Sequence, residues 1–177
     1  MNFKNLTFLF FSFALSTGAL SQTTVKWMTM EEAIEKSKTE KRKIFIDIYT
    51  DWCGWCKVMD RETFQNPCIA NYLNRNFYPV KFNAEQKKDI VFKGTVYSFI
   101  KSGSSGYHSL AAAIMRGKLS YPTSVFLDEN LNLIQPLDGY LPIKDFEKIM
   151  VYFAQDRYKD TPWPKYERTF VSPVNCK

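Results

Sequence analysis

Residues 43–49, Lys43-Ile44-Phe45-Ile46-Asp47-Ile48-Tyr49, form a run of β-branched and aromatic side chains bounded by charged Lys41-Arg42 before and Thr50-Asp51 after. That pattern predicts a buried strand. A second run, Phe77-Tyr78-Pro79-Val80-Lys81-Phe82-Asn83, predicts a partner strand, parallel to the first because helical sequence separates them. Upstream, Thr29 followed by Glu32 reads as a capped helix start, with Ala33, Ile34 and Ser37 leading to the basic Lys41-Arg42 end. Between the strands a helix is expected over 57–63, an interruption at Asn66-Pro67, and a helix over 68–74 with Ile69, Tyr72 and Leu73 on one face. Further on, residues 89–100 predict a β-hairpin turning at Lys93-Gly94, residues 102–106 a plain loop, and residues 107–115 a helix. Residues 124–128 and 131–134 predict an antiparallel hairpin around Glu129-Asn130. Phe146, Ile149, Met150 and Phe153 mark a last helix over 143–153. The tail from Asp156, with Pro162, Trp163, Pro164, Tyr166 and Phe170, is expected to lie extended on the domain.

The N-terminus adds a different signal. Met1 to Asn5 carries one positive charge, residues 6–15 are apolar, and small Ala19 and Ser21 precede a possible cut ahead of Gln22. This is the pattern of a secretory signal peptide over residues 1–21. The alternative, a membrane anchor, needs roughly 20 apolar residues to span a bilayer, and this stretch is shorter. The expected location is therefore periplasmic or secreted, with residues 22–177 forming one domain. The formal net charge is +6. Its clusters, Lys41-Arg42-Lys43 and Lys87-Lys88, do not interleave with aromatics, so a solvated basic surface is expected and nucleic acid is not.

Four cysteines are the main chemical signal: Cys53, Cys56, Cys68 and Cys176. Cys53 and Cys56 stand in Trp52-Cys53-Gly54-Trp55-Cys56-Lys57, where the first strand gives way to a helix. The first cysteine of such a pair meets unpaired helix N–H groups and the positive end of the dipole, which favour a thiolate. A thiolate is the reacting species in thiol–disulfide exchange. A purely structural bridge would gain little from so short a loop. A zinc site needs four ligands, and Cys68, Cys176 and His108 stand at no ligand spacing to one another. A redox pair with no metal and no cofactor is the reading, and His108 is read as a first-turn helix residue. For Cys68 and Cys176 two readings stay open: a bridge pinning the tail, or a buried thiol and a mobile one.

The set of residues around this pair resembles the thioredoxin-like superfamily. Asp47 lies six residues before Cys53, Trp52 precedes it, Lys81 sits in the next strand, Tyr121-Pro122-Thr123 precedes the hairpin strand, and Gly139 follows that hairpin. The resemblance covers about residues 27–153, leaving 156–177 as tail. It implies an α/β thioredoxin fold: a central mixed β-sheet flanked by helices, with an inserted β-hairpin and a C-terminal tail. The export signal, Trp55 in place of the thioredoxins' proline, and Arg61-Glu62-Thr63-Phe64 are most similar to exported bacterial thiol:disulfide interchange proteins. By this resemblance Cys53 attacks, Cys56 resolves, Asp47 accepts the proton of Cys56, and Lys81 neutralises Asp47, an exposed lysine being the alternative. Trp52, Gly54, Trp55, Tyr121 and a cis Pro122 would border the substrate. The implied activity is reduction of protein or peptide disulfides by a monomer supplied by a membrane or envelope electron donor. The alternatives are a disulfide oxidase or isomerase, a copper(I) metallochaperone, and a non-catalytic binding module. Residues 85–106 are longer than the thioredoxin counterpart, and are either a docking element or a surface insertion.

Overall fold

The computed structural model describes residues 23–174 and 176; the expected signal segment lies outside them. In chain order the elements are α1 (Met30–Thr39), β1 (Lys43–Tyr49), α2 (Gly54–Met59), a π-helical turn (Asp60–Phe64), α3 (Pro67–Asn76) and β2 (Phe77–Asn83). They continue with β3 (Ile90–Phe92), β4 (Thr95–Tyr97), β5 (Phe99–Ser102), β6 (Ser105–His108), α4 (Ser109–Ile114), β7 (Thr123–Leu127) and β8 (Leu133–Asp138). Last come α5 (Ile143–Ala154), a short 3-10 turn (Arg157–Lys159) and α6 (Trp163–Thr169).

The central sheet has the order β2-β1-β7-β8. β1 runs parallel to β2 and antiparallel to β7, and β8 returns antiparallel to β7. This is the expected mixed sheet flanked by helices. Side chains alternate across a strand, and both faces of β1 are covered. Ile44, Ile46 and Ile48 pack with α1 and α4, whereas Phe45 packs with Met59, Phe64 and the helices α3 and α5. Asp47 shares the face of Phe45, and the parallel register sets it opposite Lys81. A carboxylate and an ammonium are thereby placed side by side in an otherwise apolar layer.

Local chemistry explains most boundaries. Thr29 and Glu32 form a reciprocal capping box at α1. The helix stops at Thr39, before the predicted Lys41-Arg42 end. Asn66 caps α3 through Oδ1, with Pro67 in the first turn, where a missing N–H costs nothing. Lys93 and Gly94 adopt φ of 52° and 79° in the turn between β3 and β4. The first predicted hairpin is thus present, but it ends at Tyr97.

Three expectations are corrected. Residues 102–106 are not a plain loop: they belong to a second hairpin, β5–β6, turning at Gly103 with φ 60°. The Phe99 ring lies over Gly106, where any Cβ would run into it, and this cross-strand packing holds the hairpin. The helix expected from residue 107 starts at Ser109, because Tyr107 and His108 finish β6 and His108 caps α4, its Nδ1 accepting the Leu110 N–H at 3.2 Å. The tail is not extended. α6 sets Trp163, Tyr166 and Phe170 against one another and packs Trp163 and Tyr166 on Tyr152 of α5.

A Cys68–Cys176 disulfide then ties the chain end to α3. Buried Glu147 of α5 accepts bonds from the Ser172 hydroxyl and the Cys176 N–H. Among the described residues, no helix is long and apolar enough to cross a membrane.

Candidate functional site

At the end of β1 the chain turns through Thr50, whose carbonyl accepts the Cys53 N–H at 3.1 Å. Cys53 is the N-cap of α2, and its Sγ accepts the Cys56 N–H at 3.1 Å. A sulfur in this position receives a hydrogen bond that strengthens as it gains negative charge. Cys53 and Cys56 are bridged, with Cα atoms 5.3 Å apart. Cys53 is only 4% exposed and Cys56 2%, so the expected exposed attacker is buried in the bridged state. The flanking tryptophans hold the surface instead: Trp52 is 67% and Trp55 63% exposed.

Asp47, 1% exposed, lies on the face of β1 that packs against Met59 of α2. Burial pushes its carboxyl up to about 6, with the Lys81 ammonium holding it down and the Asp60 charge adding to the rise. Asp47 Oδ2 accepts from Lys81 Nζ at 2.5 Å, while Oδ1 accepts no hydrogen bond from any described residue. Lys81 is largely buried, which settles the choice between a paired and an exposed lysine. Burial opposes its charge, but Asp47 and Asp60 outweigh that and hold the ammonium above the usual lysine range. The Trp27, Tyr49 and Phe64 rings surround it at 5.1, 5.0 and 5.6 Å, within cation–π reach.

Asp60 was missed by sequence reasoning. It opens the π-helical turn, forms an ion pair with Lys81, and is half-exposed, so it carries the buried network to the surface. Its signal was present: Asp60 follows Cys56 by one helical turn, which places both on one face.

The substrate-side residues surround the disulfide. The Trp52 ring meets Tyr121 edge-on at 5.8 Å, and its Nε1–H donates to Glu85 at 3.0 Å. Trp55 leans on Tyr140 at 5.6 Å, and the Tyr140 hydroxyl donates to Glu62 at 3.1 Å. The Tyr121–Pro122 peptide bond is cis. Gly139 N–H occupies the Pro122 carbonyl at 2.8 Å, whereas the Tyr121 backbone makes no hydrogen bond with any described residue. Gly54 is exposed, and a Cβ there would meet nothing within 4 Å. His108 lies elsewhere, buried against Phe82, with Nε2 facing the Lys88 carbonyl at 3.1 Å. Met59 points into the core. Among the described residues, no group of three or more His, Cys, Asp or Glu side chains could hold a metal ion.

Comparison with known proteins places this geometry. Residues 17–156 match the family model Thioredox_DsbH, described as a protein of unknown function, DUF255. Spermatogenesis-associated protein 20 of Mus musculus is 38% identical over 118 residues, covering 65% of this chain and 13% of that protein. An uncharacterized Caenorhabditis elegans protein, B0495.5, is 28% identical over 137 residues, covering 76% of this chain and 16% of that protein. The chain thus spans under a fifth of the length of these relatives.

Among solved structures, a DsbH oxidoreductase is similar with a TM-score of 0.54 at 17% identity, covering 88% of this chain and 95% of that one. A thioredoxin from Thermus thermophilus is similar with a TM-score of 0.56 at 17% identity, covering 83% and 98%. At such identities the likeness is one of fold. A thioredoxin-like fold that carries a Cys-x-x-Cys pair supports thiol–disulfide oxidoreductase chemistry. Its family model and its sheet together show that the chain belongs to the Thioredox_DsbH family of thioredoxin-fold proteins.

Proposed function

We propose that this protein is an exported thiol–disulfide oxidoreductase that reduces disulfides in protein or peptide substrates. The observation that carries this reading is the bridged Cys53–Cys56 pair at the start of α2, with buried Asp47 on the same side of the sheet. In the reduced enzyme the Cys53 thiolate attacks a substrate sulfur, forming a mixed disulfide and releasing the first substrate thiolate. The Cys56 thiol passes its proton to Asp47, and the resulting thiolate attacks Cys53. The Cys53–Cys56 bond forms and the second substrate thiolate leaves, taking up a proton from solvent. Two electrons pass from the enzyme dithiol to the substrate, and a thiol donor of the membrane or envelope returns them. A carboxyl near 6 suits this proton transfer, being ionised at neutral pH yet basic enough to accept a proton.

Tyr121 supports the same reading, because its unengaged backbone offers an extended peptide the bonds of a short strand addition. The proposed export rests on the signal-like residues 1–21. Insulin reduction by the purified protein with dithiothreitol as donor, alongside metal analysis, tests the proposal. Accelerated insulin precipitation that disappears in Cys53→Ser is expected. No acceleration, or stoichiometric copper in the protein, would end the reductase reading.

A further inference from the structure

Glu85 faces two places at once. It holds the Trp52 indole beside the disulfide, and it also lines a separate cleft of about 570 Å³. One wall of that cleft comes from the turns after β1 and β2, which carry Asp51 and Glu85. The other is the β5–β6 hairpin with Phe99, Lys101 and Gly106, and the Lys87 ammonium stands 6.0 Å over the Phe99 ring. The packing of Phe99 on Gly106 sets this aromatic wall before anything binds.

The carboxylates Asp51 and Glu85 face ammoniums on the hairpin side, where Lys101 belongs to β5 and Lys87, from the same turn as Glu85, leans over Phe99; these charges are unmatched. Asp51 accepts from Asn83 Nδ2 at 3.1 Å, and Glu85 accepts from Trp52, both neutral donors. Neither carboxylate pairs with a cation among the described residues, and neither Lys87 nor Lys101 pairs with a carboxylate there. Four charges therefore face a common space without cancelling one another. Successive side chains of an extended strand point to opposite sides. A strand lying in this cleft would turn one set of side chains toward the carboxylates and the alternate set toward the ammoniums.

We infer that the cleft is a substrate subsite: it binds the polypeptide beside the reacting half-cystine and selects extended segments in which basic and acidic residues alternate. This rests on the thiol–disulfide reading above, and it makes residues 85–106 a docking element of the same groove. The Trp52–Glu85 bond joins the subsite to the disulfide, so one strand can pass over Tyr121 and Trp52 into the cleft.

The test uses the full oxidised chain and labelled peptides of equal composition, with lysine and glutamate either alternating or in separate blocks. Cysteine-free versions are read by fluorescence anisotropy, and cystine-bearing versions by turnover with dithiothreitol, which reduces Cys53–Cys56 and supplies the two electrons of each cycle. Several exposed charge pairs at about 0.2–1 kcal/mol each give an expected preference of about tenfold for the alternating peptide. About 1 M salt should abolish it, because the Debye length falls to roughly 3 Å. Lys101→Glu should weaken the alternating peptide about threefold and recover binding when the peptide's glutamates become lysines. Equal affinity for both peptides, or a Lys101→Glu variant that does not follow the exchanged charge, would overturn the subsite. Selective binding without reduction of the cystine form would instead refute the redox reading and leave the subsite standing.

Discussion

Replacing Asp47 by Asn should remove a loss of stability that the parent suffers as pH rises, so that the variant gains on the parent with pH. Asp47 is fully buried, and its carboxyl stands at about 6 in the fold against an ordinary value of 3.8. Between those values the folded chain keeps a proton that the unfolded chain has lost. Stability therefore falls as pH rises through this window and levels off above it. At about 1.4 kcal/mol per pH unit, the gap corresponds to roughly 3 kcal/mol lost to ionisation. Asn has nearly the same volume and no ionisation to lose, and Lys81 keeps Asp60 as its partner. The stability of Asp47→Asn relative to the parent should thus climb by about 3 kcal/mol from about pH 3 to about pH 8 and then stay level. Urea unfolding of both oxidised proteins, followed by tryptophan fluorescence at several pH values, measures the difference directly. A difference that stays flat across the window, or falls with pH, would refute the claim that Asp47 is a desolvated carboxylate. The same variant should reduce substrate on the order of 100-fold more slowly if Asp47 serves as the proton acceptor.

Lys81→Met removes the cation that restrains Asp47 while leaving the Asp60 charge nearby, so the Asp47 titration should move above about 6. The shift should be visible in the pH–rate profile and by carboxyl NMR, and an unmoved titration would remove Lys81 from the network. Cys68→Ser combined with Cys176→Ser opens a bridge of sequence separation 108 and should lower stability by about 3–5 kcal/mol, without lowering turnover at Cys53–Cys56; urea unfolding and insulin reduction check the two halves. In the reduced protein, mass spectrometry should find iodoacetamide on Cys53 before Cys56, since Cys53 is the cap that accepts the helix N–H. Equal labelling would overturn that order. Cys56→Ser should accumulate mixed disulfides, and Cys53→Ser should lose exchange altogether.

What could be seen in the sequence followed from how local each determinant is. The run 43–49 declares a strand through its apolar residues, and the acid in its middle, Asp47, is the residue on which the site depends. The box at Thr29 and Glu32, the break at Asn66-Pro67 and the turn at Lys93-Gly94 are each written within a few residues. The β5–β6 hairpin was not legible because Ser102-Gly103-Ser104-Ser105-Gly106 has no periodicity; it depends on a ring lying over a glycine across the strand. In the tail, prolines concealed the helical spacing of Trp163, Tyr166 and Phe170, although a first turn tolerates proline. The burial of Cys53 and the Cys68–Cys176 bridge depend on which distant segments pack together. The Asp47–Lys81 pairing followed only from the strand register, which the resemblance implied and the alternation alone did not.

The Cys68–Cys176 bond also has a topological consequence. It turns the chain from α3 to the tail into a covalent ring that contains β2, both hairpins, β7, β8 and α5. Cys53 and Cys56 lie outside that ring, on the arm leading into it. A protease that cuts the exposed Ser102–Ser105 turn opens the ring but frees no fragment: the two pieces stay joined through sulfur and through the packed sheet. The hairpin tip can be severed while the catalytic arm remains attached to its core, and the pieces part only when that second disulfide is reduced.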